Sequence, residues 1–116
     1  MPDSTSQSDQ QIAEETLAFC VEHMQEHYTI QFLAQRAGIS PTKLKSIFRH
    51  TYDIPLFAYI RAEKMRFAAQ KLAVSNKCVL DIAEACGYDN ASKFSAAFRD
   101  VMGCSPKEYR KNVRSE

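Results

Sequence analysis

Residues 54–73, IPLFAYIRAEKMRFAAQKLA, lie between two segments of the chain that resemble each other, and they decide the fold. Pro55 suits the first turn of a helix, because the N–H that proline lacks would have no intrahelical partner there. Beyond it, apolar residues recur at helical spacing, namely Phe57, Ile60, Met65, Ala68, Ala69 and Leu72. Four cations share the segment: Arg61, Lys64, Arg66 and Lys71. We therefore predict one long basic helix, about 27 Å in length from residue 56 to residue 73.

A duplicated pattern flanks this helix. TIQFLAQRAGISPTKLKSIFRH precedes it at residues 29–50, and KCVLDIAEACGYDNASKFSAAFRD follows it at residues 77–100. Each copy has an alanine, a glycine four residues later, a polar turn, and then two bulky apolar residues four apart. That pattern predicts a helix-turn-helix, in which a short helix and a second helix are joined by a tight turn that favours glycine. The matched positions are Ala34 with Ala83, Gly38 with Gly87, Leu44 with Phe94, and Phe48 with Phe98.

The sequence thus predicts an all-α fold, a seven-helix bundle in which two helix-turn-helix units are joined by a long linker helix. The expected organisation is a disordered N-terminal tail over residues 1–8, a first helix-turn-helix subdomain over 9–53, the linker helix over 54–74, a second subdomain over 75–112, and a C-terminal tail over 113–116.

Local signals set the expected helix ends. Ser8 or Asp9 can cap a first helix over residues 10–27, whose apolar stripe would be Ile12, Leu17, Cys20, Val21 and Met24. Ser, Thr and Asn side chains can accept a hydrogen bond from a free N–H of the first turn, so they are favoured at helix starts. On this basis we expect caps at Thr29, Ser40 and Asn90, stops at Gly38 and Gly103, and one final capped turn from Pro106.

Charge is divided unevenly along the chain, although the net charge is only +1. Residues 1–40 hold one arginine against six acids, and residues 41–77 hold eight Lys or Arg against two acids. Residues 91–116 are basic again, with six cations against three acids. Positive charge therefore collects on the second helix of each unit, the linker helix and the C-terminal segment. Such clustering is typical of a protein that binds a polyanion.

Composition excludes several other classes of protein. No apolar run approaches the ~20 residues of a membrane span, and the N-terminus lacks the layout of a signal peptide. The four cysteines, Cys20, Cys78, Cys86 and Cys104, form no CxxC pair, and no histidine stands at a matching spacing. We expect reduced thiols in a cytoplasmic protein, with no metal site, no cofactor, no membrane partner and no small-molecule site.

The second helix of each unit has one polar face. Thr42, Lys45, Ser46 and Arg49 recur at the spacing that places them opposite Leu44, Ile47 and Phe48. The corresponding positions of the second unit are Ser92, Ser95, Ala96 and Arg99, with Lys93 beside them. Either face could simply be solvated, or it could enter a DNA major groove, which is wide enough to admit one helix.

Taken together, these residues resemble the DNA-binding domain of AraC/XylS-family bacterial transcription regulators, of the MarA-like double helix-turn-helix kind. The resemblance covers about residues 12–111, and its most specific stretches are LAQRAGISPTKLKSIF, IRAEKMRFAAQKLA, DIAEACGYDNASKFSAAFRDVMGCSP and EYRK. It implies sequence-specific binding of double-stranded DNA, with each unit's second helix in one of two successive major grooves, about 34 Å apart. RNA polymerase would be a partner of an activator. The polar lead into the first helix favours the C-terminal domain of a larger regulator over a stand-alone protein.

The same resemblance implies roles for individual residues. Bases would be read by Thr42, Lys45, Ser46, Arg49, Ser92, Lys93, Ser95, Ala96 and Arg99. Phosphates would be contacted by Ser40, Lys43, Arg61, Asn90, Lys107 and Arg110. Better-studied family members often carry Trp, Gln or Arg on these faces, whereas this chain has mostly short side chains, above all in the second unit. We therefore expect the first unit to discriminate more between sequences and the second to depend more on the backbone and on DNA shape.

Two other functions compete with DNA binding. A helical bundle can dock another helix, but such a partner would require an apolar stripe outside the core, and the outer faces here are basic. An enzyme is disfavoured, because the sequence has no nucleophile–base pair, no paired carboxylates and no glycine-rich phosphate loop. A thiol sensor using Cys78, Cys86 or Cys104 stays open as a third alternative.

Overall fold

The computed structural model describes residues 8–114, which form seven α-helices and no strand. The helices are α1 (Asp9–Glu22), α2 (Ile30–Ala37), α3 (Pro41–Tyr52), α4 (Leu56–Val74), α5 (Val79–Ala85), α6 (Ala91–Met102) and α7 (Pro106–Arg114). The predicted all-α class with two helix-turn-helix units and a long linker helix is confirmed. The predicted disordered tail lies outside the described residues, apart from Ser8, which caps α1.

The chain divides into two compact units, and the division falls within α4. The first unit contains the chain up to His23 and, after a gap, the residues from His27 to Ile60. The second unit contains residues 24–26 and the chain from Arg61 onward. In the first unit, α1 and α2 both pack against α3. In the second, α6 packs against α5 and α7. Each unit therefore has its own three-helix arrangement around the helix with the predicted reading face.

The two units bury equivalent side chains. In the first, Leu44, Ile47 and Phe48 of α3 are at most 3% exposed. In the second, the fully buried residues of α6 are Phe94 and Phe98. Phe48 meets Tyr59 edge-on with ring centroids 5.6 Å apart, and Phe98 meets Tyr109 in the same way at 5.6 Å. The offset of 50 residues between Phe48 and Phe98 thus also relates their aromatic partners, Tyr59 and Tyr109.

The turn between the two helices of each unit is also repeated. The N–H of Ile39 donates to the carbonyl of Ala34 at 3.0 Å, and the N–H of Tyr88 donates to that of Ala83 at 2.9 Å. Gly38 and Gly87 precede these donors with φ of 76° and 88°, a conformation that glycine adopts without steric cost. At Gly87 a Cβ would also lie 2.5 Å from the carbonyl oxygen of Met24, so any side chain there would clash.

The helix starts follow the predicted caps. Ser8, Thr29, Ser40 and Asn90 each accept a hydrogen bond from a first-turn N–H, at 3.0–3.1 Å. Gly103 ends α6 in the left-handed conformation, and Asp53 ends α3 in the same way with φ of 65°. Aspartate tolerates this region better than most residues, which explains a stop without glycine.

Four details differ from the sequence-based expectation. α1 ends at Glu22 and not near residue 27, and residues 24–26 group with the second unit. Val21 is 40% exposed, and the stripe of α1 instead includes Ala13 and Thr16. Leu56 is buried at the start of α4, whereas Phe57, which was expected in the core, is exposed, so the buried face of α4 begins one residue earlier than predicted. α7 is a full helix that continues to Arg114, past the boundary predicted at residue 112.

Candidate nucleic-acid interface

The polar face of α3 is exposed along its whole length. Thr42, Lys45, Ser46 and Arg49 are all exposed, on the side of the helix opposite the buried residues. Two local features fix the start of this helix. The hydroxyl of Ser40 accepts a hydrogen bond from the N–H of Lys43 at 3.1 Å, and Pro41 occupies the first turn. The face is therefore presented by a helix that is capped at one end and packed along its other side.

The corresponding face of α6 is exposed as well. Ser92, Lys93, Ala96 and Arg99 are exposed, and Ser95 is half-buried. Asn90 caps the helix by accepting a hydrogen bond from the N–H of Lys93 at 3.0 Å. All nine predicted base-reading residues thus stand on the outer sides of α3 and α6. Neither face is buried by the unit that carries it.

A surface cleft lies beside the polar face of α3, and the sequence did not indicate it. Its volume is about 330 Å³, and most of its lining is apolar. Lys45, Ser46 and Arg49 form one side, while Ile30, Pro55, Leu56 and Phe57 form the rest. The sequence does not reveal this cleft, because the position of Phe57 fits the helical spacing of buried apolar residues. In the structure, however, Phe57 is 46% exposed. Apolar surface next to a basic helix can accommodate a thymine methyl group.

Four of the predicted phosphate-contacting residues are freely accessible. Ser40, Lys43, Asn90 and Lys107 are exposed. Ser40 and Asn90 cap α3 and α6, where the first-turn N–H groups and the helix dipole favour an anion.

The other two predicted phosphate contacts have protein partners. Arg61 forms an exposed ion pair with Asp100 of α6. Arg110 donates hydrogen bonds to the carbonyls of Leu72 at 3.0 Å, Ser75 at 3.1 Å and Lys77 at 2.7 Å. Because these carbonyls belong to the end of α4 and the turn after it, Arg110 fastens α7 to that turn. A phosphate contact by either arginine stays a prediction.

Arg114 reinforces the same junction. It donates to the carbonyl of Ala73 at 3.2 Å and to the side-chain oxygen of Asn76 at 3.1 Å, and also contacts the carbonyl of Ser75. Cations at a helix C-terminus are favoured by the partial negative charge of its free carbonyls. The two arginines of α7 therefore hold the turn that leads into the second helix-turn-helix.

The first turn of α7 places a carboxylate near the predicted reading face of α6. The Ser105 N–H donates to Glu108 Oε1 at 3.0 Å, and the Glu108 N–H donates to Ser105 Oγ at 3.1 Å, which forms a reciprocal capping box. The pKa of Glu108 is lowered by the hydrogen bond that its carboxylate accepts from the Ser105 N–H, by a further hydrogen bond with the Ser105 side chain, and by the charge of Arg99. Glu108 is therefore ionised at neutral pH, with Oε1 4.0 Å from a guanidinium nitrogen of Arg99.

The described residues contain no group of three or more His, Cys, Asp or Glu that could hold a metal ion. All four cysteines are free thiols: Cys20 and Cys86 are buried, Cys104 is half-buried, and Cys78 is exposed. Burial raises the pKa of the Cys86 thiol to about 11, although the charge of Lys64 opposes this shift. Over residues 8–114, no helix is both long and apolar enough to cross a membrane.

Comparison with known proteins identifies the family. A helix-turn-helix domain family matches residues 33–112, more than half of the chain. The regulatory protein SoxS of Escherichia coli K12 is 31% identical over 103 residues, which is 89% of this chain and 96% of SoxS. The chain belongs to the AraC/XylS family of DNA-binding transcription regulators. Its membership confirms the resemblance drawn from the two helix-turn-helix units and the linker helix.

Two further proteins that regulate transcription are similar to this chain. The HTH-type regulator YkgA of Escherichia coli K12, named as putative, is 33% identical over 101 residues, and the chain spans 42% of its length. The crystal structure of the DNA-binding domain of AdpA, a global transcriptional factor, in complex with a target DNA has a TM-score of 0.83 at 26% identity. That likeness covers 89% of this chain and 93% of the AdpA chain. The chain is thus similar in length to one AraC/XylS relative and to part of another.

Proposed function

We propose that the chain binds double-stranded DNA sequence-specifically, with α3 and α6 in successive major grooves, and thereby regulates bacterial transcription. The observation that carries this proposal is the pair of equivalent, exposed polar faces on helices that are otherwise buried. The major groove admits one α-helix and presents a distinct donor and acceptor pattern for each base pair. Family membership supports DNA as the partner, and the AdpA domain in its DNA complex supports the mode of binding.

The side chains of the two faces suit different bases. Lys45 and Arg49 of α3, and Lys93 and Arg99 of α6, can donate to the O6 and N7 atoms of guanine. Ser and Thr accept several pairings, and Ala96 can touch a thymine methyl. Phosphate contacts at Ser40, Lys43, Asn90 and Lys107 would fix the position of each helix on the duplex.

Spacing between the two insertions follows from the proposed mode. Helices in successive major grooves on one side of the duplex are separated by one turn, about 34 Å or 10–10.5 base pairs. We take the linker helix 54–74 to set this separation between the subdomains 9–53 and 75–112. A bipartite operator with a one-turn repeat would match the duplicated protein.

The proposal extends to the setting in which the chain acts. A regulator of this kind works in the bacterial cytoplasm, has no enzymatic activity, and contacts RNA polymerase where it activates. Both a stand-alone regulator and the DNA-binding domain of a longer one agree with the relatives, since the chain spans 96% of SoxS but 42% of YkgA.

Salt dependence of binding tests the proposal against a protein-binding module. Fluorescence anisotropy would follow a labelled duplex at salt concentrations from about 50 to 200 mM. A DNA-binding protein releases condensed counterions, so the logarithm of the affinity should fall linearly with the logarithm of the salt concentration, by about 0.9 per phosphate contacted. Absence of DNA binding at the lowest salt concentration would refute the proposal.

A further inference from the structure

Two acidic side chains stand against predicted DNA-contacting cations in the second unit. Asp100, near the end of α6, forms an ion pair with Arg61 of α4. Glu108, in the first turn of α7, lies 4.0 Å from Arg99 on the reading face of α6. The four side chains are between 45% and 65% exposed, so DNA could reach both cations. Each pair therefore competes directly with any phosphate or base that the arginine would contact.

The first unit lacks both acids. At the offset of 50 residues that relates α3 to α6, Arg49 matches Arg99, His50 matches Asp100 and Ala58 matches Glu108. Within the described residues, no salt bridge involves Lys45 or Arg49. The duplicated architecture thus supplies an internal comparison, in which equivalent helices differ in whether an ion pair engages their arginine.

We propose that Asp100 and Glu108 restrain Arg61 and Arg99 and so lower the sequence-independent affinity of the second unit for DNA. The inference rests on the proposed DNA-binding function and adds a regulatory role to two residues that contact neither base nor phosphate. They act through the arginines as positioning residues. While the two acids hold the arginines, the first unit supplies most of the non-specific attraction to DNA. The second unit binds DNA where its contacts with the duplex are favourable enough to displace the carboxylates.

The expected size of the effect follows from the exposure of the pairs. Exposed ion pairs are weak, and breaking one changes an equilibrium by about two- to fivefold. A phosphate can therefore displace Asp100 or Glu108, but each displacement lowers the affinity by that factor. Like-charge repulsion between the carboxylates and the duplex acts in the same direction. Because non-specific binding is almost wholly electrostatic, these factors appear most directly on DNA of random sequence.

Charge-neutral, nearly isosteric variants test the proposal. Asp100→Asn removes the charge that holds Arg61, and Glu108→Gln removes the one that holds Arg99. Glutamine also serves at this position of a capping box, so the first turn of α7 should remain intact. The matched control is Glu84→Gln, the same change at an exposed α5 position that has no ion-pair partner in the described part of the chain. Thermal melts would verify that all three variants fold.

Affinity for a random-sequence duplex, measured by anisotropy over a range of salt concentrations, is the readout. Asp100→Asn and Glu108→Gln should each bind about two- to fivefold more tightly than the original chain, and more tightly than Glu84→Gln. The salt dependence should steepen by about 0.9 for each freed arginine that reaches a phosphate. In an Arg61→Ala background the gain from Asp100→Asn should shrink, because only the repulsion between the carboxylate and the duplex then remains to be relieved.

Each alternative outcome has a distinct meaning. Equal gains from all three neutralised acids would show that only net charge matters, and would overturn the proposal. A gain from Asp100→Asn that is undiminished in the Arg61→Ala background would overturn the restraint of Arg61. Failure of the original chain to bind DNA at all would instead refute the proposed function. Normal, salt-dependent binding that neither variant improves would refute this inference alone.

Discussion

Arg110 Nε donates a hydrogen bond to the carbonyl oxygen of Leu72 at 3.0 Å, across 38 residues of sequence. Its terminal nitrogen donates to two further carbonyls, those of Ser75 and Lys77. A cation that the sequence resemblance implied for a phosphate therefore has a structural task in the absence of DNA. It joins α7 to the turn between α4 and α5, and so stabilises the segment that leads into the first helix of the second helix-turn-helix.

Replacing Arg110 by alanine should destabilise the second unit by about 2 kcal/mol, because three carbonyls lose a charged donor. The loss should appear in thermal or urea unfolding without DNA. Lys111→Ala is the matched control, since Lys111 is an exposed neighbouring cation of the same helix. Unchanged stability of Arg110→Ala, together with weaker DNA binding, would instead assign the residue to phosphate.

Lys45 and Arg61 should differ in how their loss affects DNA recognition. Lys45→Ala should relax specificity at one base pair, at a cost of about 1–3 kcal/mol for a direct base contact. Arg61→Ala should weaken binding to all sequences alike and reduce the salt dependence, since phosphates carry no sequence information. Competition assays with single-base operator variants would separate the two. A uniform loss for Lys45→Ala would remove it from the base-reading set.

Phe48 and Phe98 are fully buried, and truncating either should destabilise its own unit. The expected cost for a buried phenylalanine is about 3–5 kcal/mol, from lost apolar contact and the cavity left behind. Phe57→Ala is the control, because the Phe57 side chain is nearly half exposed. It should therefore cost clearly less stability than truncating Phe48 or Phe98, because less apolar area leaves the protein interior. Comparable destabilisation by Phe57→Ala in urea unfolding would contradict this difference in packing.

The cysteines should differ sharply in reactivity. Cys86 is buried with its pKa raised to about 11, so at pH 8 it is almost entirely the unreactive thiol. Cys78 is exposed and should react first with iodoacetamide in the native protein. Mass spectrometry after brief labelling would locate the modified residue. Rapid modification of Cys86 would revive the thiol-sensor alternative and contradict its burial.

Features that depend on local chemistry could be predicted from the sequence. The caps at Ser40 and Asn90 and the stops at Gly38 and Gly103 follow from side-chain hydrogen bonds and backbone freedom within a few residues. The buried phenylalanines of α3 and α6 follow from helical spacing. Caps, stops and spacing together are sufficient to put both polar faces on the outer sides of their helices.

Contacts between distant residues were not accessible in this way. α1 ends at Glu22, and the carbonyls of Met24 and Gln25 just beyond it lie beside Gly87, more than 60 positions later. Periodicity alone cannot tell whether Leu56 or Phe57 faces the core when both are apolar. The Arg61–Asp100 pair and the Arg110 hydrogen bonds span more than 30 residues, so composition identified these arginines only as cations.

The asymmetry between the units gives a further expectation. The face of α3 offers Lys45 and Arg49, which form no salt bridge within the described residues, whereas that of α6 has shorter side chains and Glu108 beside Arg99. Sequences selected by the protein should therefore carry more information at the half-site bound by α3. The half-site bound by α3 would be the one whose base preference changes in Lys45→Ala. Equal information in both half-sites would contradict the asymmetry between the units, but not DNA binding itself.

Selection of bound duplexes from a random pool, followed by sequencing, tests the central claim most directly. Two helices in successive major grooves should enrich two blocks of preferred sequence, with centres about 10–10.5 base pairs apart. Inserting about half a helical turn between the blocks should then abolish tight binding, because the two sites would face opposite sides of the duplex. Enrichment of a single block, or tight binding that persists after the insertion, would contradict recognition by α3 and α6 together.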